Sequence, residues 1–282
     1  MRCYRHDWNL ARYFGTGRFG RAKIAGPNID GALRFYDRVS VVEILSERPA
    51  YSVALDGRNI KTSLKSKFEV PYRALAYAVA HEWDAQKSTI RPATMPIMTL
   101  ASTIIDLHLT SSRHDLIEDM MNYLQSDTIC YQVSPTPQEK LYSLQLEKWE
   151  PIRRWFEKKF DGELDVSHGT INALVHDETL VHNVRLYLQK LNDFELVPLR
   201  AMTRNCKSFI TASALFDRHI TAKDAMDISR VEEEFQIGSW GLVEGGHDLD
   251  RVNCCVGISS ASSFLWLQQQ MKASIPNKQS NA

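Results

Sequence analysis

At Pro71 the spacing of apolar residues in this 282-residue chain changes from two to about four, and that switch constrains the fold more than any motif does. Before it, over residues 34–70, apolar side chains alternate: Val39 and Val41, then Tyr51, Val53 and Leu55, then Ile60, then Phe68 and Val70. Period two is the mark of half-buried strands. Asp56-Gly57 between two such runs signals a tight hairpin. After the switch, Leu75, Val79 and Trp83 recur every fourth residue and share one helix face, which predicts a helix lying on the sheet with Trp83 as its core anchor. Pro71 is expected at the first helical position, where a missing N–H costs nothing. Thr94-Met95-Pro96 starts a second helix through Ile97, Leu100, Ala101 and Ile104, with Thr94 or Met95 at its cap.

Beyond Ser111 every periodic segment reads as helical. Leu116, Ile117, Met120, Met121 and Leu124 mark one helix, and Leu141, Leu144 and Leu146 mark another. Pro151 starts a new helix or kinks the old one. Leu180, Val181, Val184, Leu188 and Leu191 follow, then one long apolar helix over residues 194–216. Thr221 with Asp224 three residues on resembles a capping box. The expected fold class is α+β: a small N-terminal antiparallel sheet with packed helices over residues 34–108, then an all-α orthogonal helical bundle over 109–272. Residues 273–282 are expected to form a disordered tail. No repeat of 20–50 residues and no sustained heptad occurs, which sets aside solenoids and coiled coils.

Formal net charge is zero, yet residues 1–23 hold six cations (Arg2, Arg5, Arg12, Arg18, Arg21, Lys23) against Asp7 alone, giving +5 there and −5 on the remainder. An Arg-rich, acid-poor start with interspersed Leu10, Tyr13, Phe14 and Phe19 has the composition of a mitochondrial transit peptide. Residues 24–33, rich in Gly, Pro, Asn and Asp, read as its linker, with order expected from Arg34. A mildly acidic body is a poor nucleic-acid surface. No apolar run approaches the roughly 20 residues of a membrane span. Five cysteines without framework spacing suit a reducing compartment.

Short motifs carry no chemistry in this context. Gly15-Thr16-Gly17-Arg18-Phe19-Gly20 matches the dinucleotide fingerprint, but it lies in the basic leader with no strand–helix unit to hold a pyrophosphate. The nine histidines show no metal-binding spacing. Cys254 and Cys255 are adjacent and read as buried thiols. We assign no catalytic residue, no metal and no cofactor. Glu232-Glu233-Glu234 is the densest acid run and reads first as a solvated helix face. With Trp240, Glu244, Asp248 and Asp250 close by in sequence, it also offers acids and an aromatic anchor to a basic partner.

Longer blocks carry a resemblance. Val70-Pro71-Tyr72-Arg73-Ala74-Leu75-Ala76 followed by His81-Glu82-Trp83-Asp84-Ala85-Gln86 is similar to the hallmark of the F1 α-subunit assembly chaperones, the mitochondrial ATP synthase F1 assembly factor 2 family. Arg34-Phe35-Tyr36, Leu55-Asp56-Gly57-Arg58, Asp127-Thr128-Ile129-Cys130-Tyr131, Trp149-Glu150-Pro151 and residues 229–241 resemble further blocks of that family in the same order. The resemblance implies a monomeric, cofactor-free chaperone of the mitochondrial matrix that holds free F1 ATP synthase α subunit until β subunit replaces it. Glu244, Asp248, Trp240 and Glu233 are then the candidate partner-binding residues, and Trp83, Asp84 and Pro71 the structural ones. The competing readings are an enzyme with a site between the two domains and a stable subunit of a mitochondrial complex. If residues 1 to about 30 are a cleaved leader, sequencing of the mature protein from mitochondria will find a new N-terminus. An intact Met1 there refutes it.

Overall fold

The structure, a computed structural model, describes residues 30–45, 49–243 and 245–269. The basic leader with its glycine motif, Glu244 and the segment 273–282 lie outside the described residues. The fold is α+β. β1 (Val39–Ile44), β2 (Ala50–Leu55) and β3 (Arg58–Asn59) form an antiparallel sheet in that order, with Val39 opposite Leu55 and Ile44 opposite Ala50. Asp56-Gly57 makes the expected turn, both residues at positive φ, where Gly57 is unstrained. Beyond β3 the chain forms a second, shorter hairpin closed by a Lys61–Lys67 bridge, and Val70 bridges back to Tyr51.

Helix α1 (Arg73–Asp84) buries Leu75, Val79 and Trp83 against β1 and β2, as the four-residue spacing predicts. The Pro71 expectation is corrected: Tyr72, extended at φ −115°, is the cap, and Pro71 precedes it. Proline forces the residue before it into extended backbone, which suits Val70 in its bridge to Tyr51. The start of order also shifts, because Gly31 N–H donates to Ile90 O and Arg34 N–H to Ser88 O at 3.0 Å each, so the end of the linker is already tied to the body.

The His81–Gln86 block acts as a joint. Both oxygens of Glu82 accept backbone N–H groups at the start of α2 (Pro96–Ile105), from Ile97 and Met98 at 2.7 Å each. Those N–H groups have no partner within their own helix. Trp83 is 6% exposed, packs edge-on against Tyr36, and its carbonyl accepts the Tyr36 hydroxyl at 2.6 Å. Arg34 donates to the carbonyl of Asp84 at 2.9 Å and lies 3.5 Å from its carboxylate, tying the chain entry to the end of α1. Gln86 accepts from Arg91 N–H and donates to the Thr94 hydroxyl.

The helices continue with α3 (Leu107–Thr110), α4 (Arg113–Gln125), α5 (Glu139–Phe160), α6 (Glu178–Lys190), α7 (Asp193–Cys206), α8 (Phe209–Phe216), α9 (Ala222–Ser229), α10 (Val231–Trp240) and α11 (His247–Gln269). α5 runs unbroken through Pro151. A two-residue parallel pair within this half, β4 (Tyr131–Gln132) with β5 (Ser167–His168), departs from the all-helical expectation. The long helix expected over 194–216 is in fact two. Lys207 takes left-handed backbone at φ +54°, and Ser208 caps α8 by accepting Thr211 N–H at 2.9 Å. Both helices are buried on most sides, so apolar spacing runs through the break without registering it. Thr221 and Asp224 do form a capping box.

Asp127, fully buried, accepts from Ile129 N–H and from Ile210 N–H in the first turn of α8. α7 is the central helix, packed by α2, α4, α8 and α11. At Gly257 of α11 the approach is so close that a Cβ would fall 2.1 Å from Asn205 Oδ1 of α7. The core extends from Tyr36 to Leu265. Cys130, Cys206 and Cys254 are buried thiols, whereas Cys255 is exposed, because the residue after a core-facing one on a helix turns about 100° away.

Burial raises the Glu82 carboxyl from the ordinary value of 4.5 to about 7, opposed only in part by its two N–H donors. The folded protein therefore keeps a proton that the unfolded chain releases, and this contribution to stability is complete below pH 4.5 and lost as pH rises through 7. In denaturant unfolding, the advantage of wild type over Glu82→Gln should shrink across that interval, by at most about 3 kcal/mol. A flat difference refutes the assignment. Trp83→Arg should cost at least about 3 kcal/mol, from a lost aromatic and an unpaired buried charge. An unchanged denaturation midpoint would contradict its core role.

Candidate partner-binding surface

The acid run that opens α10 is bonded into the protein rather than solvated, a correction to its sequence reading. Glu232 accepts from Gln145 of α5 at 2.7 Å, Glu233 pairs with Lys207 at 2.8 Å, and Glu234 accepts from Arg230 at 3.1 Å and from Arg251 of α11 at 3.0 Å. Arg230 is 3% exposed and also pairs with Asp250. These contacts latch α10 to α5 and α11. Burial raises the Glu232 carboxyl, whereas the two arginines hold Glu234 low against its desolvation. No sequence pattern links Glu233 to Lys207 or Glu234 to Arg251, since the partners come from distant segments of the chain.

What the latch leaves outside is apolar. Trp240 ends α10 at 83% exposed, and the chain turns at Gly241, φ +87°. Leu242 and Val243 follow, both exposed, and Leu249, Val252 and Val256 lie on the solvent side of α11. Their i, i+3, i+7 spacing puts them on one stripe. The opposite side of α11 buries Cys254, Ile258, Ala261 and Leu265 against the body. Asp248 is exposed on the first turn of α11, beside this stripe. The predicted set is thus divided: Trp240 and Asp248 face solvent, Glu233 is engaged with Lys207, and Glu244 lies outside the described residues. Sequence reading missed Leu242, Val243, Leu249, Val252 and Val256. Their signal was available, because α11 carries apolar residues on two faces and can bury only one.

Trp83, Asp84 and Pro71 sit at the joint near the sheet, apart from this surface in the chain. Among the described residues no group of three His, Cys, Asp or Glu side chains is placed to hold a metal ion, and no helix is long and apolar enough to cross a membrane. An open cavity of about 460 Å³ between the start of α9 and α11 is lined by His219, Thr221, Asp224 and Trp266. Of its polar groups, Thr221 and Asp224 bond each other and His219 stacks on Trp155. Exposed apolar residues gathered on one stretch of chain, with a polar margin, have the composition of a protein-binding surface.

The sequence profile of the family described as "ATP12 chaperone protein" matches residues 33–157. The Schizosaccharomyces pombe "Protein atp12, mitochondrial" is 30% identical over 206 residues, covering 70% of this chain and 71% of that one. The Saccharomyces cerevisiae "Protein ATP12, mitochondrial" is 27% identical over 258 residues, covering 77% and 79%. The crystal structure of Atp12 from Paracoccus denitrificans superposes with a TM-score of 0.74 at 26% identity, covering 84% of this chain and 98% of that one. Together with the α+β fold and the joint built by the His81–Gln86 block, these likenesses show that the chain belongs to the ATP12 chaperone family.

Proposed function

We propose that this protein is an assembly chaperone of ATP synthase that binds the free α subunit of F1 in the mitochondrial matrix and yields it to β subunit. The observation that carries the reading is the solvent-facing apolar strip running from Trp240 to Val256 on a member of a chaperone family. An unassembled ring subunit exposes a large apolar interface and tends to aggregate, so its chaperone must offer an apolar counterpart and still give way to the true neighbour. A strip with a single large aromatic and short aliphatic side chains fits binding that is firm yet displaceable. The mitochondrial names of the two yeast relatives and the Arg-rich leader support the compartment. The division into units of 34–108 and 109–272 belongs to the same proposal, with the strip on the second unit.

Asp248 supplies charge at the margin, and it and Glu244, a neighbour in sequence, are the candidates to pair with a basic group of α subunit. Loss of one member of a desolvated interface pair costs about 2–5 kcal/mol, against under about 1 kcal/mol for an exposed rim charge. Glu244→Lys should therefore lose most of the capacity to keep α subunit soluble, while its thermal midpoint stays at the wild-type value. Trp240→Ala should weaken capture by about 2 kcal/mol or more, as for a central aromatic anchor. Unchanged capture removes the residue concerned from the site, and a collapsed midpoint makes it structural.

A further inference from the structure

The hairpin after β3 carries a concentration of positive charge on a body whose net charge is −5. Arg58, Lys61, Lys65 and Lys67 fall within ten residues and are all exposed, and none has an ion-pair partner among the described residues. Two acids flank them in sequence: Glu69, exposed and likewise without an ion-pair partner among the described residues, and Asp56, whose carboxylate accepts the backbone N–H groups of Asp37 and Arg38. Lys61 and Lys67 are direct cross-strand neighbours, an arrangement in which like charges repel. Lys65 sits at φ +70°, where glycine or asparagine would be easier. Two local penalties are thus accepted to keep ammonium groups here.

The platform beneath them is firm. Thr62 is buried, donates to Asp106 at 2.9 Å, and its hydroxyl accepts Ser66 N–H. Phe68 is fully buried, and its carbonyl accepts the Ser52 hydroxyl. At the turn between the two strands stands half-buried Leu64. Three of the four cations are lysines, point charges on flexible stems without the planar fork that suits a fixed carboxylate partner. A fluid, densely anionic surface matches such a set better than a defined acidic patch on a protein does.

We propose that this hairpin is a peripheral docking point for anionic phospholipid headgroups, through Lys61, Lys65 and Lys67 with Arg58 at its base. It would hold the protein reversibly at a membrane surface while the strip beyond Trp240 stays free. The competing explanation, that the lysines only deter edge-to-edge strand pairing, makes a different prediction.

The test is sedimentation of the full chain with vesicles of phosphatidylcholine alone and of phosphatidylcholine mixed with phosphatidylserine. The reference chain has its six leader cations replaced by glutamine, so that the leader's own attraction does not enter. The reference should bind only the anionic vesicles, less at high salt, and adding Lys61→Gln, Lys65→Gln and Lys67→Gln should cut partitioning roughly a hundredfold, at about fivefold per charge. Arg58→Gln alone should give a several-fold loss. Indifference of the reference to lipid charge overturns the proposal, as does unchanged vesicle binding by the triple variant, and self-association of that variant without loss of binding favours the strand-pairing explanation. Equal capture by soluble polyglutamate overturns it in favour of an acidic protein partner.

Discussion

The bond between Glu82 and the first turn of α2 is the constraint on which the rest of the arrangement depends. It joins the helix that covers the sheet to the helix that leads into the mainly helical half, and it places a carboxylate where two N–H groups would otherwise be buried without partners. A single residue thereby fixes the relation of α1 to α2, and α2 in turn packs on α7 and α11. Asp127 repeats the device at α8. Each carboxyl is desolvated, and burial raises Asp127 to about 6. The fold accepts that penalty at two points in order to terminate buried helices without loose polar groups.

The long sequence blocks therefore encode mostly scaffold, and only the block over residues 229–241, which ends at exposed Trp240, reaches the candidate surface. Glu82, Trp83 and Gln86 close the joint at the sheet. Trp149 donates to the Ile228 carbonyl at 3.1 Å, and buried Arg153 donates to the Ile129 carbonyl at 2.7 Å. These side chains satisfy groups contributed by distant segments. The residues free to meet a partner, Trp240 and the aliphatics of α11, need only be apolar and outward.

How much of this could be read from the residues follows from the range of each interaction. Leu75, Val79 and Trp83 announced their helix and its buried face, and Thr221 with Asp224 announced a cap, because those signals lie within one or two turns. The break at Lys207 was invisible, since burial on both sides of it keeps the apolar spacing intact. The engagement of Glu232, Glu233 and Glu234 was invisible for the opposite reason: Gln145 and Arg251 reach them from two other helices, and Lys207 from the break between α7 and α8. The candidate surface was half legible. Trp240 and Asp248 stood out by type, whereas Val252 and Val256 became recognisable only once the other side of α11 was seen to be filled.

The close approach at Gly257 and the ion pairs around Arg230 hold the two ends of that surface by different forces. Where α11 meets Asn205 without a side chain between, its position is set by van der Waals contact, which dissolved salt does not weaken. Where α10 meets α11, Glu234 and Asp250 are themselves about two-fifths exposed, so salt screens their pairs with Arg230 and Arg251 in part. The Val256 end of the strip is consequently stiff at any ionic strength, while the Trp240 end gains freedom as ionic strength rises. A surface with one fixed end and one adjustable end can be peeled from an apolar partner progressively, which lets a competitor enter before the first contact has fully let go.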